Sequence, residues 1–156
     1  MNDPELVDVA VLALAQSTAS TIYGMYDIFR GAGRDWGFIV SGTPGPELFQ
    51  PRVVAAQAGP MVIGNGVPIV PECDLAKCGV PDVICISEVL IPPGEPLAGR
   101  FDVELEWLRH CYDAGSTIAT VCSGAMLLAE AGLLKGREAT THWAYCDVMA
   151  NRYEDI

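Results

Sequence analysis

The sequence predicts an α/β fold: a three-layer sandwich on a mostly parallel sheet, with Cys122 at an elbow between a strand and a helix. Three observations predict it. β-prone apolar runs alternate along the chain with stretches of helical periodicity, the pattern of parallel strands joined by crossovers. The first run, residues 7–14 (VDVAVLAL), is apolar almost throughout, as in a strand buried on both faces. Residues 117–128 (TIATVCSGAMLL) pass from a β-like stretch through small residues directly into a helix former.

Taken in order, residues 16–20 (QSTAS) offer hydroxyl caps, and Ile22, Met25, Tyr26, Ile28 and Phe29 then recur at helical spacing until Gly31 and Gly33. Residues 36–40 (WGFIV) read as a second strand, closed by the turn-rich SGTPGP. Shorter β candidates, residues 53–56 and 67–70, lie around Gly59-Pro60 and Gly64-Asn65-Gly66, and the latter reads as a tight hairpin turn. Residues 83–86 (VICI) form another buried strand before a Pro/Gly-rich loop at 91–99. Residues 101–114 are an amphipathic helix with Leu105, Leu108 and Tyr112 on one face, stopped by Gly115. After the β-like residues 117–121 come a helix at 125–131 ended by Gly132, a short β stretch at 137–140 and a helix at 143–153. No strand follows that helix, so a single domain over residues 1–156, incomplete at its C-terminus, is expected.

With 156 residues, 51% hydrophobic and 19% charged, the chain carries enough apolar content for one core, which excludes a disordered chain. A net charge of −11, from 9 basic against 20 acidic residues, excludes direct binding of a phosphate backbone by these residues. Residues 1–5 lack the basic and apolar regions of a secretory signal, and no apolar run reaches the ~20 residues of a membrane span. A cytoplasmic protein without membrane association is expected. The six cysteines read as reduced thiols, because the chain is not a small secreted scaffold. Cys73 and Cys78 are spaced one residue wider than common zinc ligands, so neither metal nor cofactor is expected.

The chemistry concentrates at Cys122. An elbow of this kind holds its side chain clear of the carboxyl edge of the sheet, where open α/β folds bind ligands. The helix that follows presents free N–H groups, and Gly124 lets the backbone pass closely. His142 lies twenty residues on (142 − 122), in the segment ATTHW, and a neighbouring strand would bring it to the same edge. There it would hold a thiolate or shuttle a proton; the alternative makes it a helix-start residue with Thr141 as N-cap. His110, beside Arg109 in a charged helix, reads as solvated.

The stretch ATVCSGAMLLAEAGLLKGREATTHW, residues 119–143, resembles the ThiJ/PfpI superfamily of class I glutamine amidotransferase-like domains, in the variant found at the N-terminus of AraC-type, GlxA-like transcriptional regulators. The opening VAVLALAQSTASTIYGMYDIF, residues 9–29, matches the first strand and helix of that superfamily, and the likeness is weakest between residues 41 and 80. It implies a flavodoxin-like three-layer sandwich. Enzymes of the superfamily carry an acid on the first helix that hydrogen-bonds the nucleophilic cysteine, and the matching residue here is Thr21. A hydroxyl cannot act as a base at neutral pH. Peptidase-like members have His after the cysteine, where this chain has Ser123, and the Gly-Gly oxyanion loop is replaced by Ser87-Glu88-Val89. Glu88 is then a carboxylate that would reach the site from another direction.

The resemblance implies a ligand-sensing regulatory domain that binds a small metabolite with Thr21, Ser87, Glu88, Cys122, Ser123, Gly124 and His142. DNA would be read only by a C-terminal helix-turn-helix domain that these residues do not contain, and a homodimer is expected. The alternative is a cysteine-dependent hydrolase, isonitrile hydratase-like or glyoxalase-like enzyme with Cys122 as nucleophile and His142 as proton shuttle. A third reading makes Cys122 a redox sensor.

Overall fold

The computed structural model describes residues 6–156, so the acidic residues 1–5 and the expectation attached to them lie outside it. The apolar run at the start of the chain forms β1 (Val7–Leu12), in which Val9, Ala10, Val11 and Leu12 are wholly buried. Successive side chains point to opposite layers. Val9 and Val11 pack with Ile22 and Val53 on one face, and Ala10 and Leu12 with Ile84, Leu108 and Leu127 on the other.

The chain continues through α1 (Ala19–Gly31), α2 (Asp35–Ser41), β2 (Phe49–Ala55), β3 (Met61–Ile63), β4 (Val67–Ile69), β5 (Cys73–Asp74) and α3 (Leu75–Cys78). It then forms β6 (Val83–Ile86), α4 (Asp102–Asp113), β7 (Thr117–Thr120), α5 (Ala125–Glu130) and α6 (Cys146–Arg152). Five strands make one parallel sheet in the order β5-β2-β1-β6-β7, and β3 pairs antiparallel with β4 in a separate hairpin. Asn65 and Gly66 turn that hairpin with φ of 63° and 75°, a region that Asn and Gly tolerate.

Two expectations are corrected. Residues 36–40 are the helix α2, because β2 occupies the place beside β1 and leaves this segment no partner strand; Gly42, at φ 72°, ends the helix by donating to the Phe38 carbonyl. Residues 137–140 form no strand: β7 pairs with β6 alone, and the segment runs past it without a ladder. Two smaller differences concern helices. Tyr112, in the last turn of α4, is exposed and accepts from Arg137 Nη2 at 2.8 Å, while Trp107 and Cys111 join Leu105 and Leu108 in the core. The terminal helix begins as a 3₁₀ turn, Trp143–Tyr145, before α6.

The strand order positions the site. From β1 the chain adds β2 and β5 on one side and then crosses to place β6 on the other, so the connections after β1 and β6 diverge. Such a divergence leaves a crevice at the carboxyl ends of the strands. Here Leu90 N–H donates to the Gln16 carbonyl at 3.0 Å across it. No helix among the described residues is long and apolar enough to cross a membrane.

Burial lifts the Cys85 thiol to about 11 and the Cys78 thiol to about 12, from an ordinary value of 9.0. The folded chain keeps both protonated while the unfolded chain ionises them. The stability they contribute is present below the unfolded value and is lost as pH rises toward 11. Urea denaturation should therefore give a lower midpoint at about pH 10 than at about pH 8, and Cys85→Ala should flatten the difference.

Candidate functional site at the elbow

Cys122 follows β7 with φ 55°, in the left-handed region that costs a side chain roughly 1 kcal/mol or more, and it is exposed. The cause is a pinch on its C-terminal side. A side chain at Gly124 would collide with the Ser87 carbonyl oxygen and Thr120 Oγ1, so the backbone can come this close only as glycine. Ser123, 1% exposed, donates through Oγ to the Val89 carbonyl at 2.9 Å and accepts from Val89 N–H at 3.0 Å. Val121 N–H donates to the Ile86 carbonyl at 3.2 Å. The segment after β6 and the elbow are thus clamped together, and the cysteine is the residue turned outward.

Beside the clamp is a buried polar cluster. Ser87 Oγ donates to Ser17 Oγ at 2.5 Å, and Ser17 Oγ donates to the Glu88 carbonyl at 3.2 Å. Glu88, 7% exposed, accepts at Oε1 from Thr18 N–H at 3.0 Å and from the Thr18 hydroxyl. Thr18 Oγ1 lies 3.1 Å from Thr21 Oγ1, which ties the first turn of α1 into the cluster. Glu88 Oε2 and Thr120 Oγ1 are buried without a partner among the described residues. Thr18 stands at the N-cap position of α1, yet its hydroxyl serves Glu88 instead of capping the helix.

The expected site residues therefore separate by task. Cys122 is presented to solvent, Ser123 and Gly124 build the clamp, and Ser87, Glu88 and Thr21 belong to the cluster. His142 caps the 3₁₀ turn itself, with Nδ1 accepting from Ala144 N–H at 3.3 Å, so the N-cap is His142 and not Thr141. No hydrogen bond joins His142 to Cys122 among the described residues, and the expected thiol–imidazole pair is replaced by a bond from Thr141 Oγ1 to the Cys122 carbonyl at 3.3 Å. Glu88 likewise bonds to Thr18 and not to the thiol. Thr18 and Tyr145 were missed from sequence. Tyr145 donates to the Ile91 carbonyl at 2.6 Å and ties the terminal helical segment to the loop after β6. The hydroxyl run QSTAS was a visible signal, but it read as helix capping alone. A cleft of about 330 Å³ opens at the carboxyl ends of β1 and β2, lined in part by Leu14, Gln16, Gln57, Phe101 and Glu104. A smaller one, about 140 Å³, is lined in part by Thr140, Thr141 and Cys146.

The sequence profile of the DJ-1/PfpI family matches residues 13–156, from just after β1 through the switch point and the elbow to the terminal helices. The chain belongs to the DJ-1/PfpI family. Among DJ-1/PfpI relatives it is 30% identical over 110 residues to the HTH-type transcriptional regulator CdhR of Pseudomonas aeruginosa, covering 70% of this chain and 32% of that protein. It is 34% identical over 92 residues to an isonitrile hydratase of Pseudomonas putida, covering 58% and 38% respectively. The chain thus spans about a third of the length of these two curated relatives. A solved AraC family transcriptional regulator from Pseudomonas putida superposes with a TM-score of 0.71 at 18% identity, over 96% of this chain and 74% of that one, a likeness of fold.

The clamp generates a stability prediction. Ser123→Ala leaves the buried Val89 N–H without its Ser123 partner, while the Val89 carbonyl keeps the Ile91 N–H, and should cost about 1–3 kcal/mol in urea denaturation. Gly124→Ala should cost about as much or more, because backbone must move.

Proposed function

We propose that this domain is the ligand-sensing part of an AraC-type transcriptional regulator and binds a small metabolite beside Cys122. The observation that carries the reading is an exposed elbow cysteine with no general base bonded to it among the described residues, in a chain whose relatives include CdhR. A nucleophile needs an adjacent base or an equivalent activator. Here the first-helix position is Thr21, Glu88 is taken up by Thr18, and His142 Nδ1 is taken up by a backbone N–H. DNA would be bound through a helix-turn-helix portion outside these 156 residues, consistent with the share of CdhR that the chain spans. The net charge of −11 suits a sensor better than a DNA reader.

A ligand at the elbow should slow the alkylation of Cys122 by iodoacetamide in the folded chain. Peptide mapping across a panel of small metabolites checks this, and a panel that leaves the rate at Cys122 unchanged throughout would remove the reading. The second reading, a cysteine-dependent small-molecule enzyme, draws on the isonitrile hydratase likeness. Turnover of an isonitrile or small carbonyl compound, lost in Cys122→Ala, would favour it over sensing.

The expected homodimer has a candidate surface. In α2, Trp36, Phe38, Ile39 and Val40 are 76%, 59%, 75% and 64% exposed, and the helix buries no residue. A helix that turns this much apolar surface outward is normally covered. These four side chains expose on the order of 500 Å², the larger part of the ~800 Å² that one side of a standard interface buries. The flanking charges cancel in pairs, Arg34 with Asp35 and Arg30 with Glu47, so two acidic chains meet there without local repulsion. Light scattering should show a dimer that Trp36→Lys with Ile39→Lys converts to a folded monomer; a monomeric parent chain would refute the surface.

A further inference from the structure

Cys73 and Cys78 read from sequence as unconnected thiols, and the fold brings them together at the edge of the sheet. Cys73 lies in the edge strand β5, paired with Val54 of β2, and Cys78 closes the short helix α3 that follows. Arg52, from β2, reaches over both. Its Nη1 donates to Cys73 Sγ at 3.5 Å, and its Nη2 donates to the Cys78 carbonyl at 2.7 Å. Two bonds to Asp8, from Nε at 3.0 Å and Nη2 at 2.6 Å, hold the guanidinium in place. The burial of the two thiols differs. Cys73 is half-buried, whereas Cys78 is 4% exposed.

A partly exposed thiol under a fixed guanidinium, with a second cysteine held through its carbonyl by the same guanidinium, has the parts of a two-cysteine redox centre. We propose that Cys73 and Cys78 form a peroxide-reactive dithiol in which Cys73 is oxidised first and Cys78 closes the disulfide. The site is separate from the elbow and does not depend on the proposed sensing role.

In the first step the Cys73 sulfur attacks one peroxide oxygen. The O–O bond breaks, an S–O bond forms, and the departing hydroxide takes the thiol proton to leave water and Cys73 sulfenic acid. The sulfur is oxidised by two electrons and the peroxide is reduced. In the second step the Cys78 sulfur attacks Cys73 Sγ, the S–O bond breaks as the S–S bond forms, and the released hydroxide takes the Cys78 proton as a second water. One peroxide and two thiols give one disulfide and two waters. The order follows from environment: Cys73 carries the charged N–H donor and the access, while burial keeps Cys78 protonated until the sulfenic acid has formed beside it.

Trypsin tests the proposal directly, because Lys77 lies between the two cysteines. The reduced chain is treated with a small excess of hydrogen peroxide, blocked with iodoacetamide in denaturant, and digested without reductant. Peptides 53–77 and 78–100 should appear joined and separate on adding dithiothreitol. Cys78→Ser should abolish the joined pair and let dimedone trap Cys73 as sulfenic acid, which also distinguishes Cys78 from Cys85 in the same peptide. Arg52→Met should slow Cys73 oxidation several-fold. The proposal is overturned if Cys73 stays fully alkylatable at a peroxide dose that oxidises Cys122, or if the joined pair persists in Cys78→Ser.

Discussion

Gly124 runs so close to the Ser87 carbonyl that no side chain fits between them, and the Ser123 hydroxyl bonds both the N–H and the carbonyl of Val89. This clamp draws the carboxyl end of β6 and the start of α5 into contact. A chain leaving β7 and entering that clamp must turn within one residue, which puts Cys122 at φ 55° with its side chain outward. Exposure of the cysteine is therefore a consequence of packing at its neighbours. The strain at Cys122, roughly 1 kcal/mol or more, is held by hydrogen bonds and close packing that its immediate surroundings supply.

The electrostatics of the crevice centre on a hydroxyl at Thr21 and a buried carboxylate at Glu88. The carboxylate sits between two residues of the clamp, yet it faces the first turn of α1, where Thr18 supplies both an amide and a hydroxyl. A buried carboxylate with donors on one oxygen is anchored, and its second oxygen has no partner among the described residues. The crevice holds an internal hydroxyl–carboxylate network. That network joins the connections after β1 and β6, so it stabilises the switch point of the sheet and leaves the thiol to whatever enters from solvent.

Legibility of the molecule differed by region for physical reasons. The β1 run was readable because burial on both faces removes polar residues from a strand. The elbow was readable because strand, small residues and helix follow one another without a gap. Residues 36–40 misled because their β-propensity is local, while strand formation needs a partner, and β2 had taken that place. The segment before His142 misled in the same way, since β7 offers it no ladder. The Cys73, Cys78 and Arg52 contact left no sequence signal, because it joins three residues through the pairing of β2 with β5 and a four-residue helix.

Residue order by itself determined the layers of this protein, the burial of its first strand, the family to which it belongs and the place of Cys122 at the end of a strand. These are properties of neighbours along the chain, set by hydrophobic period, turn residues and contiguous motifs. Tertiary structure decided which groups meet. It gave Glu88 to Thr18, turned His142 into a cap, left four apolar side chains of α2 exposed and placed Arg52 over two cysteines. Those outcomes depend on strand order and on which backbone groups remain to be paired once the sheet has formed, and neither is written in the spacing of the residues concerned.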